Sequence, residues 1–270
     1  MRDVSFGQYY PANSFVHKCD PRVKLLFLIV YIVVVFLAKN FYAIGACAVV
    51  FLLIALFSKI PLKSLLKSVK SVLFLLLFTV ILNLFFYQGT TIWLQWKFIT
   101  ITKEALFFTI FLSARLFLLV LSSTILTLTT TPVALTDGVE SLLKPLTVIH
   151  FPVHELALIM SIALRFIPIL TDETSRIMNA QKARGADFES GGLVQRVKAI
   201  LPILIPLLIS AMRRAEELGD AMDARCYAGS KVRTKYKKLT LTWRDLVAVL
   251  LLAALFTAII LLRIYTVALI

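Results

Sequence analysis

The stretch Leu246–Ile270 contains a single charged residue, Arg263, and is otherwise dominated by Leu, Ala, Ile and Val. A helix needs about 20 predominantly apolar residues to cross a bilayer, and this segment supplies them. Four other segments meet the same demand: Val23–Ala38, Phe41–Phe57, Val72–Tyr87, and Ala105 to about Leu128. Composition agrees, with 60% hydrophobic and only 16% charged residues, where an average soluble protein carries about 25% charged. A disordered tail, a collagen-like rod and an ordinary soluble enzyme are thereby excluded. The expected fold class is an all-α membrane protein with about five transmembrane helices. A cytoplasmic domain of three long amphipathic helices completes it.

Local signals sharpen the boundaries and set an orientation. Asp20-Pro21 reads as a helix N-cap followed by proline at the first helical position. Only Lys39-Asn40 separates the first two spans, so they form an antiparallel hairpin. Lys18, Arg22 and Lys24 flank the start of the first span, and Lys59, Lys63, Lys67 and Lys70 follow the second. Cytoplasmic loops are enriched in Lys and Arg, which places both sides in the cytoplasm. Tyr87, Trp93 and Trp96 then sit at the outer interface as aromatic anchors. The expected division is residues 1–22 as an N-terminal cytoplasmic segment, 23–130 as the first four spans, 131–243 as a cytoplasmic domain and 244–270 as the last span. The N-terminus is expected inside a cell membrane and the C-terminus outside.

The excess of Lys+Arg, 29 against 15 Asp+Glu, gives a net charge of +14. Such a balance can signal nucleic acid, but here the cations interleave with apolar helices, so lipid and not nucleic acid is the expected partner. Within 131–243, Thr131-Pro132 opens one helix and a second runs from near His154 to about Lys182. The third covers roughly Val194–Asp223, between Ser190-Gly191-Gly192 and Ala228-Gly229. Pro168, Pro202 and Pro206 fall inside apolar runs and are expected to kink or divide these helices. The runs themselves look short for full spans. The basic tract Lys231, Arg233, Lys235, Lys237 and Lys238 precedes the last span.

Signatures of catalysis are missing from the sequence. His154-Glu155 opens like a zinc-protease H-E-x-x-H, but Leu158 occupies the second histidine position. Cys19, Cys47 and Cys226 have no disulfide or metal-ligand spacing, so no metal is expected. No phosphate-binding G-x-x-x-x-G-K-[ST] motif occurs. Two cations inside spans need an explanation, since a charge in hydrocarbon is costly unless paired or able to reach an interface. Arg263 is placed to snorkel to the outer headgroups. Arg115 lies too deep for that and needs a partner, with Asn83 of the third span as a candidate.

An internal echo carries the most information. One amphipathic helix ends in Gln181-Lys182-Ala183-Arg184-Gly185-Ala186-Asp187, the next in Ala221-Met222-Asp223-Ala224-Arg225-Cys226-Tyr227. Each places a small residue, an arginine and a chain-reversal position at a helix C-terminus. Alanine permits close approach of another surface, and arginine offers a planar fork of five donors. These paired segments, Ala183-Arg184-Gly185 and Ala224-Arg225-Cys226, resemble the signatures of the transmembrane T component of energy-coupling factor (ECF) transporters. The segments Gly7–Pro11 and His17–Leu25 are similar to that family's N-terminal stretch. Glu155–Leu158, Leu164–Pro168 and Arg213–Leu218 resemble its coupling-domain motifs. Cys226 departs from the pattern by standing where the second glycine belongs.

The resemblance implies a transmembrane coupling subunit rather than an enzyme. Two ABC-type ATPases would bind ATP and Mg, and an integral-membrane S component would bind a vitamin or micronutrient. Ala183, Arg184, Gly185, Ala224, Arg225 and Cys226 would contact the ATPases. Leu156, Met160, Ala163, Ile167 and Leu170, which share one helical stripe, would hold the S component. This chain itself would need no cofactor. A self-sufficient secondary transporter and an integral-membrane enzyme are the rival readings; inverted repeats with broken midplane helices would mark the first, clustered polar or metal-binding residues the second.

Overall fold

The computed structural model describes residues 9–86, 92–96, 99–186, 188, 192–227, 229 and 240–267. Tyr87, Asp187, Ser190-Gly191, Ala228 and the tract Lys231–Lys238, singled out above, lie outside them, as do Gly7-Gln8. In chain order the elements are α1 (Pro21–Leu37), α2 (Phe41–Ser58), α3 (Leu62–Phe86), β1 (Ile92–Trp96) and β2 (Ile99–Thr102). There follow α4 (Lys103–Thr129), α5 (Pro132–Leu143), a 3-10 turn at Lys144–Ile149, α6 (Val153–Ala183), α7 (Leu193–Ala224) and α8 (Trp243–Val267). The protein is an all-α membrane protein, with one short antiparallel β-hairpin between α3 and α4. That hairpin, which carries Trp93 and Trp96, was not foreseen.

Contacts divide the chain into two units, residues 1–142 with 239–270, and residues 143–238. The first boundary falls after α5, not at Thr131 as expected, because α5 packs on the spans. A Cβ at Gly138 would stand 3.1 Å from the Cβ of Pro21 and 3.2 Å from Leu25. Glycine therefore allows α5 to lie directly against the first turn of α1. At 12 residues α5 is also shorter than the long helix expected there.

Four helices among the described residues are long and apolar enough to cross a membrane: α2, α4, α6 and α8. A bent α3 adds a fifth, with Lys63–Lys70 turned 57° from Val72–Phe85. The third helix thus starts ten residues before the expected Val72, and its first turns carry the lysines. Helix α1, expected as the first span, has 17 residues, about 25 Å of rise, and is not among the helices long and apolar enough to cross a membrane. Pro168 was expected to kink or divide α6; the helix is not divided and runs over 31 residues. Helix α7 likewise continues through Pro202 and Pro206 for 32 residues. Each proline withholds one N–H, so the carbonyls of Leu164, Lys198 and Pro202 lose their intrahelical donor while the helix continues.

The first unit is held by polar contacts at helix ends. Asp20 caps α1 by accepting the Arg22 N–H at 2.9 Å. Asp245, in the first turn of α8 and only 3% exposed, accepts the Asp20 N–H and the Thr242 N–H, each at 2.7 Å. One carboxylate thereby caps α8 and fastens the start of α1 beside it, so these helices run side by side in the same direction. Lys24 of α1 donates to the Thr129 carbonyl at 3.1 Å and the His17 carbonyl at 3.2 Å, closing the C-terminus of α4. The opposite exchange occurs about four turns away along both helices. There Arg115 of α4 donates to the Ala38 carbonyl at 2.6 Å, closing the C-terminus of α1. Its guanidinium also lies 4.8 Å from the Phe111 ring centroid and 5.8 Å from that of Phe36. The candidate partner Asn83 donates instead to Thr79 of its own helix at 2.9 Å. A fully desolvated backbone carbonyl at a helix end attracts a cation more strongly than a neutral amide does.

Between these clamps the packing is apolar. Tyr31, Val34, Val35, Cys47, Leu121, Ile125 and Ile259 form its centre, and the Tyr31 hydroxyl donates to the Cys47 carbonyl at 3.0 Å. Ahead of α1, the chain hooks onto α4 through the Tyr10 N–H, which donates to the Leu128 carbonyl at 3.0 Å. His17 braces the hook: Nε2 donates to the Tyr10 carbonyl at 2.9 Å, and Nδ1 accepts from the Ser14 hydroxyl at 2.7 Å.

Two outcomes are expected. Asp245→Ala leaves two buried N–H groups without an acceptor and should cost about 2–5 kcal/mol. Asp245→Asn keeps one acceptor oxygen and should cost less, as thermal unfolding of the purified protein will register. Burial pushes the His17 imidazole below its ordinary value of 6.5 and outweighs the opposing Tyr10 bond. The unfolded chain then takes up this proton first as the pH falls, so the contribution of His17 is complete above 6.5 and lost on acidification. The thermal midpoint of wild type should therefore drop more steeply than that of His17→Gln between about pH 8 and about pH 5.

Candidate functional site

Helices α6 and α7 dominate the second unit. The apolar run of α6 was expected to be short for a span, yet α6 is long and apolar enough to cross a membrane. Both helices differ in pattern from the other spans. The other spans are apolar nearly all round, whereas α6 and α7 concentrate their apolar residues on one side. Their pairing is fixed at two levels. Arg214 of α7 meets Glu173 of α6 at 3.3 Å. Gln181 Nε2 approaches the Pro202 carbonyl at 3.5 Å, the carbonyl that Pro206 leaves without an intrahelical donor. As α6 advances from Glu173 to Gln181, α7 runs back from Arg214 to Pro202. The helices cross in an antiparallel sense, so their C-terminal ends leave the crossing in opposing directions.

Both ends are built alike. In α6 the Ala186 N–H returns to the Gln181 carbonyl at 3.0 Å and the Gly185 N–H to Lys182 at 3.0 Å. In α7 the Tyr227 N–H returns to the Met222 carbonyl at 3.1 Å and the Cys226 N–H to Asp223 at 2.9 Å. These are the paired 6→1 and 5→2 bonds of a Schellman motif. The residue after each C-cap is left-handed, Gly185 at φ 88° and Cys226 at φ 57°. Arg184 and Arg225 occupy the C-cap in each case and are exposed, as are Ala183 and Ala224. A cation there faces the negative end of the helix dipole and still presents its donors outward.

The apolar stripe of α6 is likewise without cover from its own chain. Leu156, Met160 and Ile167 are 40%, 47% and 39% exposed, Ala163 is exposed, and Leu170 is half-buried. Helix α7 contributes a second such surface that the sequence reading did not single out, including Ile205, Leu208, Ile209 and Met212.

Against this geometry the relatives are informative. A family model described as CbiQ, cobalt transport protein, matches residues 12–236. The energy-coupling factor transporter transmembrane protein EcfT of Brevibacillus brevis is 49% identical over 245 residues, covering 91% of this chain and 92% of its own. That of Acidaminococcus fermentans is 46% identical over 263 residues, covering 97% and 98%. The chain belongs to the ECF transporter transmembrane protein family. It is a membrane-embedded transport component of a multi-component assembly. Within this ECF component the two arginine-bearing ends, Ala183-Arg184-Gly185 and Ala224-Arg225-Cys226, lie in one unit and share one backbone closure. Among the described residues no three His, Cys, Asp or Glu side chains gather as metal ligands.

The cysteine makes the second end testable. A non-glycine residue at left-handed φ costs roughly 1–2 kcal/mol. Nothing obstructs a side chain at the corresponding Gly185, so the cost is conformational and not steric crowding. Cys226→Gly should raise or preserve thermal stability, and Cys226→Val should lower it below wild type, because β-branching tolerates positive φ poorly. The reverse order of midpoints would mean that the left-handed closure does not persist in the folded protein.

Proposed function

We propose that this chain is the coupling subunit of an ECF-type ABC importer. Two ATPase subunits, which bind ATP and Mg, engage its α6 and α7 ends, and an S component for a vitamin or micronutrient rests on its apolar stripe. The observation that carries the reading is the duplicated C-cap arginine: two exposed forks, each on a rigid Schellman end, leaving one helix crossing in opposing directions. A single docking partner would need one such end; a pair of like partners needs two. Ala183 and Ala224 let each partner surface close on the helix, while Arg184 and Arg225 supply the charged donors. Closure of the ATPase pair pulls the two ends, changes the crossing of α6 and α7, and moves the S component seated on Leu156, Met160, Ala163, Ile167 and Leu170. This chain neither hydrolyses ATP nor selects the substrate. The N-terminus lies in the cytoplasm and the C-terminus outside, as the lysines on the early loops support.

Removing one partner of a desolvated charge pair at an interface costs about 2–5 kcal/mol. Arg184→Ala and Arg225→Ala should each weaken ATPase binding, and the double variant should lose ATP-driven uptake while the spans stay folded. Normal uptake by the double variant contradicts the docking role. Orientation is checked separately by impermeant thiol labelling of Cys226 in intact cells, which should fail until the membrane is opened.

A further inference from the structure

Among the described residues lies a half-open cavity that the coupling role does not use. It has a volume of about 430 Å³ and lies inside the first unit, between α1, α2, α4, α8 and the hook that precedes α1. Its wall is almost all hydrocarbon, as at Val23, Tyr31, Phe51, Ile125 and Leu251; Lys24 also lines it, with its ammonium engaged by the His17 and Thr129 carbonyls. Every contributing helix end belongs to the same end of the bundle, the one where Asp245 and Lys24 make their clamps. The rim there is aromatic, with Phe15 packed edge-on to Trp243 at 5.8 Å and near Phe57 at 6.4 Å. Trp243 and Phe57 are 65% and 61% exposed, so the cavity reaches the surface beside them.

We propose that this cavity holds one acyl chain of an anionic phospholipid, with its headgroup on the rim cations. Three observations choose this occupant. The volume lies in the 300–1,000 Å³ range of small-molecule sites. A partner helix, 10–12 Å across with its side chains, would need an open groove instead. The rim is positively charged: the Arg244 guanidinium stands 6.0 Å from the ring of the lining residue Phe15, and exposed Lys18 and Lys59 fall within two residues, along the chain, of the lining residues Cys19 and Phe57. The nearby carboxylates do not neutralise it outward, since Asp20 and Asp245 are buried and already accept backbone N–H groups. An aromatic ring system at the interface, flanked by Arg and Lys, is how proteins meet lipid headgroups.

The test uses the purified transporter complex in nanodiscs with phosphatidylglycerol or phosphatidylcholine carrying a diazirine in one acyl chain. Phosphatidylglycerol should cross-link to the wall segments around Tyr31, Phe51 and Leu251, and phosphatidylcholine much less. Arg244→Gln should reduce the preference about five-fold, the equivalent of one cation near an anionic surface. Ala248→Phe and Ser122→Phe, which fill the cavity from α8 and α4, should each remove wall labelling. Equal labelling by both lipids overturns the headgroup assignment, and labelling confined to the outer helix faces overturns the site. Unchanged labelling in a filled variant, or a partner peptide cross-linked in the cavity, does the same. Should a filled variant fail to fold, the comparison of the two lipids on wild type decides alone. Uptake is not the readout, so failure here is separable from failure of the coupling role.

Discussion

A helix end buried in protein cannot hand its last carbonyls to water, and each one left bare costs about 1–3 kcal/mol; Ala38 and Thr129 are such ends. The antiparallel helices α1 and α4 solve this for each other. Lys24 near the start of α1 reaches the end of α4, and Arg115 midway along α4 reaches the end of α1. Neither cation needs a carboxylate, because a helix C-terminus already carries partial negative charge. The exchange also fixes the register of the two helices, since both clamps close together only at one axial offset. With α1 fixed against α4, Asp245 sets α8 beside α1, and the apolar layer between them follows.

The second unit follows a different rule. Its helices keep their apolar residues on one side and leave them uncovered by their own chain, a pattern that expects company. Their polar links are the Glu173–Arg214 ion pair and the long hydrogen bond of Gln181 to the Pro202 carbonyl.

What could be read from the sequence was local. The Asp20-Pro21 cap, the limits of α6 and α7, and the two arginine-bearing ends all depend on neighbours a few residues apart, where hydrogen-bond geometry is dictated by the chain itself. Arg115 could be flagged as needing a partner, but the Ala38 carbonyl leaves no mark in the sequence, because every residue has one. Asp245 drew no notice for a related reason: an acid in a first helical turn is ordinary, and only the fold brings the Asp20 N–H to it. The prolines were expected to kink or divide their helices, and division did not follow. In long helices, one missing hydrogen bond among many is outweighed by the bonds that continue on either side. Thr131-Pro132 did start a helix, with the Ala134 N–H donated to the threonine hydroxyl at 3.3 Å. Which unit that helix joins rested on Gly138 meeting Pro21, a contact between distant residues.

The prolines that fail to break α7 still leave it mechanically uneven. Over Leu207–Ala224 every rung of the ladder is available, and the segment behaves as a stiff rod. Over Lys198–Pro206 two rungs are missing, and bending there stretches fewer bonds. A load applied at Arg225 is therefore carried undiminished along five turns or so and turned into curvature at a defined place. Helix α6 has a single such weak point, opposite Pro168, set well back from Arg184. The two arms thus share a tip design but differ in compliance, and equal pulls on them produce unequal displacements.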